Sequence, residues 1–238
     1  MRIPALARLV PRALLLDLDA YRKMRERPHP AVEGLDLLLV LGAALGLAST
    51  VAAVLHWATS PDPAQVQQAL GRALRGLPLW RRFDPDGRQL AYLMARPAWW
   101  WSLTAWLWPS PLVAVLRLPA TLLNVLLGWL GYGLVAHPVA RILGGRGRLE
   151  ETLGCTALAE VPQALLLLPM LPPFSLVGVG ILAWVLAGRF LALKAAHQFA
   201  GWRAFWAALL PALILAGATG LLWAGAVLIL WLAGQAWP

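Results

Sequence analysis

Residues 140–173 read "ARILGGRGRLEETLGCTALAEVPQALLLLPMLPP". Arg141, Arg146 and Arg148 crowd a glycine-rich turn, and an apolar run follows from about Thr152. The run carries one carboxylate, Glu160, two residues before Pro162, and it stops at three prolines within 169–173. A basic turn, a greasy run and an abrupt stop make a segment that leaves one charged surface, enters hydrocarbon and turns back.

The rest of the chain follows the same pattern. Of 238 residues, 60% are hydrophobic and 13% charged, with a mean hydropathy of +0.67. Soluble domains carry roughly 25% charged residues. Residues 37–61, 118–140, 161–188 and 204–238 hold no Asp, Glu, Lys or Arg, and about 20 apolar residues suffice to cross a bilayer. The fold class is therefore all-α, a polytopic membrane helix bundle. The formal charge of +9 comes from arginines flanking apolar runs, which suits anionic lipid headgroups and excludes a nucleic-acid face. Cys155 is the single cysteine, so no internal disulfide or cysteine metal cluster can form.

Five transmembrane helices are expected, at about 36–58, 117–138, 152–171, 174–195 and 204–233, within a domain covering 35–238. Pro211 should kink the last one, since neighbouring helices can satisfy the freed backbone groups. Residues 1–34 form a cytoplasmic amphipathic segment: Leu6, Val10, Leu14, Leu18 and Tyr21 recur near helical spacing, with Arg8, Arg12, Arg22 and Lys23 elsewhere. It lies on the membrane or packs on the bundle. Residues 59–116 read as interfacial, with an amphipathic helix over 64–83 and a tryptophan-rich, proline-broken helix over 97–116 that is interfacial or re-entrant, the alternative being a sixth span. The N-terminal segment, the 139–151 loop and the connection carrying Arg189, Lys194 and Arg203 hold thirteen Lys and Arg; the 172–173 turn and the C-terminal "GQAWP" hold none. The positive-inside rule then places the N-terminus in the cytoplasm and the C-terminus outside.

Glu160 is the candidate for function. At 1.5 Å per residue it lies about 12 Å into the third span, where an ionisable group is costly and takes a partner. Arg189, on the returning fourth span, reaches a similar depth. With Pro162, whose missing N–H frees a carbonyl, the two form a candidate buried polar site: a polar pathway, a lipid-headgroup site or a structural ion pair. Arg141, Arg146, Arg148 and Lys194 are candidate contacts for lipid headgroups. Gly42 and Gly46 make a GxxxG that permits close helix packing, and Asn124 can hydrogen-bond across helices. His56, His137 and His197 sit near span ends, where a half-polar ring is comfortable without a metal. No catalytic motif and no cofactor are expected.

Two stretches carry a family resemblance: "GWLGYGLVAHPVARILGGRGRLEETLGCTALAEVPQALLLLP" (128–169) and "LAWVLAGRFLALKAAHQFAGWRAFWAALLPALIL" (182–215). They resemble the bacterial branch of the Ypt-interacting-protein (Yip) family, with its basic Gly-Gly turn, Ala-His turn and proline-bearing last span. The resemblance implies five spans, a cytoplasmic N-terminus and no catalytic site. Eukaryotic members are trafficking adaptors for prenylated small GTPases, a role the resemblance does not carry to these residues. The expected function is non-enzymatic: a multi-pass protein of a bacterial inner membrane that organises membrane or partner proteins, alone or as a homo-oligomer. The alternatives are a transporter, channel or lipid scramblase with a groove at Glu160 and Arg189, and an accessory subunit of a larger complex.

Overall fold

The computed structural model describes residues 6, 8–61, 65, 66, 68, 69, 72, 73, 110–170 and 177–236. Its elements are helices α1 (Leu9–Leu14), α2 (Leu18–Arg25), α3 (Pro30–Thr59), α4 (Pro111–Ile142) and α5 (Leu149–Ala159), a 3₁₀ helix (Val161–Met170), and helices α6 (Val177–His197) and α7 (Gly201–Ala236). No strand occurs among the described residues. The tryptophan-rich stretch, most of the 64–83 segment and the 172–173 turn lie outside them.

Two compact units result, one of residues 1–46 with 119–238 and one of 47–118. The second contains the end of α3 and the start of α4. The first holds the core and every candidate site residue.

Four helices among the described residues are long and apolar enough to cross a membrane: Pro30–Thr59, Pro111–Ile142, Val179–His197 and Gly201–Ile229. The expected third span is not one helix. Helix α5 ends at Ala159, and the chain continues as a 3₁₀ helix from Val161. Pro162 has no N–H to extend the α-helical ladder, and the next amide, Gln163, bonds back three residues to the Glu160 carbonyl at 2.9 Å. Irregular backbone at membrane depth survives only where protein covers it, and Glu160, Val161 and Pro162 are all buried.

The N-terminal segment also divides. Leu16 adopts a left-handed φ of 58°, which stops α1, and the Asp17 side chain accepts the Asp19 N–H at 2.9 Å to start α2. The apolar face of α2 packs on the bundle: Ala20, Tyr21 and Met24 are fully buried with Cys155, Leu158, Ala159, Ala192 and Ala196 of α5 and α6. Removing Met24 from water contributes about 2 kcal/mol.

Helices α5 and α6 run antiparallel at the centre. Thr152 meets His197, and Glu160 meets Arg189; the two contacts are eight residues apart on both helices. Leu38, Leu45, Val125 and Trp129 bring α3 and α4 onto this pair. Tyr132, Ala136, Leu193, Ala204 and Ala207 bring in α7. Helix α7 runs continuously through Pro211, and the Tyr132 hydroxyl donates to the nearby Ala208 carbonyl at 3.0 Å.

Candidate functional site

The polar interior has two layers. The deeper one forms where α5 breaks. Glu160 caps the helix and is 1% exposed. Its Oε1 accepts Arg189 Nε at 2.9 Å and Nη2 at 2.7 Å, and its Oε2 accepts the Gln163 amide. Both carboxylate oxygens are therefore occupied. The Arg189 guanidinium also lies 4.0 Å from the centroid of the Tyr132 ring, a contact that favours a desolvated cation. Pro162, two residues on, is fully buried. Tyr21 approaches from α2. Its hydroxyl is buried without a hydrogen-bond partner among the described residues, and burial, followed by the nearby Cys155 and Glu160, pushes the phenol pKa up.

The second layer lies eight residues along, about 12 Å at helical rise, and joins three elements at one oxygen. His197 Nε2 lies 2.9 Å and His137 Nδ1 3.1 Å from Thr152 Oγ1, which itself donates to the Arg148 carbonyl at 3.1 Å. Gly147 donates its N–H to His197 Nδ1 at 3.2 Å, so that nitrogen carries a lone pair and Nε2 carries the proton. With the threonine proton already given to Arg148, the Oγ1 accepts from both imidazoles. A side chain at Gly147 would strike the Ala196 carbonyl, which is why the loop can approach this closely. No group of three metal-ligating side chains occurs among the described residues.

Around this layer the basic segments meet at one end of the bundle. Arg25 donates to the Ala195 carbonyl at 3.2 Å, Gly145 and Gly147 pack on Ala196, His197 and Phe199, and the Arg203 guanidinium passes close to Gly144. Arg141, Arg146 and Arg148 are exposed there and Lys194 is half-buried. Arg189, counted with these loop charges in the sequence, lies two turns inside.

The other candidates divide. A Cβ at Gly42 would lie 2.7 Å from Leu122 Cδ1 and 3.4 Å from its Cα, so this glycine packs α3 on α4 within the chain. Gly46 is buried on the same face. Asn124 is exposed on the outer side of α4 and makes no inter-helix hydrogen bond among the described residues. The reason is rotation: Val125 and Trp129 are the residues that α4 turns inward.

Two features escaped the sequence. Glu33 is a second buried acid, 3% exposed, with Arg27 Nη1 at 3.1 Å from its Oε2. Only its place just before the charge-free run could have pointed to it. The imidazole–threonine–imidazole contact joins residues 137, 152 and 197 through tertiary packing alone.

The family model for the Yip1 domain matches residues 13–224. The chain belongs to the Yip1 domain family. This Yip1 domain is a multi-pass membrane protein, and the match takes in both polar layers and every candidate residue named above. Neither a curated protein nor a solved structure matches it.

Proposed function

We propose that this Yip1 protein is a non-enzymatic organiser of membrane or partner proteins in a bacterial inner membrane. Its basic end and N-terminus face the cytoplasm, and its C-terminus faces the opposite side. The chain crosses five times, with α5 and the 3₁₀ helix together making one broken crossing. One observation carries the functional part: Glu160 spends both oxygens on Arg189 and Gln163 and is closed to solvent. A transport pathway needs a hydrated route to such a carboxylate, and a satisfied, closed pair instead rigidifies the junction. What the bundle leaves outward is apolar. Leu221, Leu222, Trp223, Val227 and Leu228 of α7 are exposed, available to lipid or to a partner's helix. The same surface supports the accessory-subunit reading, which differs in requiring a fixed stoichiometry.

The test is reconstitution of the purified chain in proteoliposomes, with lipid scrambling and solute flux measured for wild type and Glu160→Gln. Rates equal to those of empty liposomes are expected for both. A photo-crosslinker replacing Trp223 should trap a discrete membrane protein in cells. Flux by the purified chain that Glu160→Gln abolishes would replace the organiser with a transporter.

A further inference from the structure

At the basic end, α2 and the end of α6 border an open cleft of about 350 Å³, lined by Arg22, Arg25, Glu26, Lys194, Gln198 and Phe199 among others. This is within the size range of small-ligand pockets, roughly 300–1,000 Å³. Three cations face one carboxylate across it, and Glu26 is exposed. Arg22 has an ion-pair partner, Asp19, at 3.1 Å on its exposed edge. Lys194 is half-buried, and its ammonium has only the Phe190 ring, 5.9 Å to the centroid, with no carboxylate partner among the described residues.

Two helix C-termini meet here, and their carbonyls attract the basic side chains of the last turns. That attraction alone does not account for the arrangement, because two of the last carbonyls of α6, those of Lys194 and Ala195, are already bonded. Gln198 adopts a left-handed φ of 56°, which lets the Phe199 N–H close on the Lys194 carbonyl at 3.2 Å. Arg25 Nη1 takes the Ala195 carbonyl at 3.2 Å, and the rest of its fork of donors has no partner among the described residues. The backbone at this corner is thus partly neutralised, while the positive charge remains.

We propose that Arg22, Arg25 and Lys194 form a binding pocket for a phosphate group, supplied by an anionic lipid headgroup or by a soluble phosphomonoester. Two guanidinium forks and an ammonium match the charge and the acceptor geometry of phosphate oxygens. The pocket is independent of the organising role and of the Glu160 cluster.

The full chain is purified and binding measured with two probes. The first is inorganic phosphate titrated onto protein in neutral detergent. The second is nanodiscs of phosphatidylcholine with or without phosphatidate, read by native mass spectrometry of retained lipid. Lys194→Gln and Arg22→Gln, both at solvent-reachable positions, should each weaken binding about tenfold or more. Lys194→Arg should retain it, and Arg203→Gln, at an exposed position outside the pocket, should change it less than about twofold. Loss with both probes assigns a general phosphate site, and loss with phosphatidate alone assigns a headgroup site. The pocket is overturned if neither probe binds, if Lys194→Gln binds like wild type, or if Arg203→Gln weakens binding as much as Lys194→Gln, which would mean diffuse surface attraction. Retained gel-filtration profile and melting temperature in each variant separate lost binding from lost fold.

Discussion

Glu160 and Arg189 form a unit whose members do not tolerate separation. Each has left water, and the attraction between them at 2.7 Å offsets a desolvation cost that either would bear alone. Glu160→Gln leaves a guanidinium facing an amide at membrane depth, and Arg189→Met leaves a carboxylate with only Gln163. Each single change should destabilise the detergent-solubilised protein by about 3–5 kcal/mol, whereas the double variant should lie within about 2 kcal/mol of wild type. Thermal unfolding of the four proteins checks this, and simple additivity of the two single effects would show that the pair is not a unit. Asp17 poses a different question at the same scale. The Asp19 N–H it accepts, and then the Arg12 guanidinium, hold its pKa below the ordinary 3.8. A carboxylate with a lowered folded pKa contributes stability that is complete above its unfolded value and is lost as pH falls through the folded one. The start of α2 should therefore be insensitive to pH from neutrality down to about 4 and fray only below that. In Asp17→Asn this acid-dependent step should disappear. Amide chemical shifts of residues 18–21 followed through an acid titration report it directly.

At the scale of elements, helix α5 is the keystone because it is small where it must be. Pro30 at the start of α3 sits so close that a Cβ on Gly154 would lie 2.6 Å from the Pro30 backbone carbon and oxygen. Backbone cannot rotate away as a side-chain tip can. Gly154→Ala should force α3 off α5 and destabilise by about 1–3 kcal/mol. Gly128 on α4 has nothing within 4 Å of its would-be Cβ, so Gly128→Ala should be neutral or stabilise by up to about 1 kcal/mol through helix propensity. Melting temperatures of the two alanine variants, compared side by side, distinguish a packing glycine from an idle one. The contrast also marks what could be read beforehand. Charge-free runs announce the long helices, because hydrocarbon excludes charge along the full width of a span. They say nothing of rotation about a helix axis, which is why Asn124 could be set at an interface although Val125 and Trp129 face inward. They are equally silent about continuity: an apolar run looks the same whether α-helical throughout or broken, and only Pro162 hinted at the change after Glu160. The contact among His137, Thr152 and His197 depends on the antiparallel setting of α5 against α6, a property of tertiary packing that no local pattern encodes.

Across the molecule as a whole, charge gathers at one end of the bundle. Helices α3, α4 and α7, with 30, 32 and 36 residues, measure about 45, 48 and 54 Å at helical rise, longer than the roughly 30 Å of hydrocarbon. Length alone therefore fixes neither their depth nor their direction. The proposed direction rests on the gathering of Arg25, Arg146, Arg148, Lys194 and Arg203 around the α5 start and the α6–α7 turn, since basic residues near span ends tend to remain on the cytoplasmic side. Cys155, the sole cysteine, is fully buried, so single cysteines added elsewhere can be labelled against a silent background. In intact cells a membrane-impermeant maleimide should leave Arg146→Cys and Gln198→Cys unmodified and should label Ser60→Cys, just past the far end of α3. Inside-out vesicles should reverse the pattern. Labelling of Arg146→Cys from outside would invert the whole orientation. Labelling of Ser60→Cys from the same side as Arg146→Cys would mean that α3 does not cross, and the count of crossings, together with the opposite placement of the two termini, would fall with it.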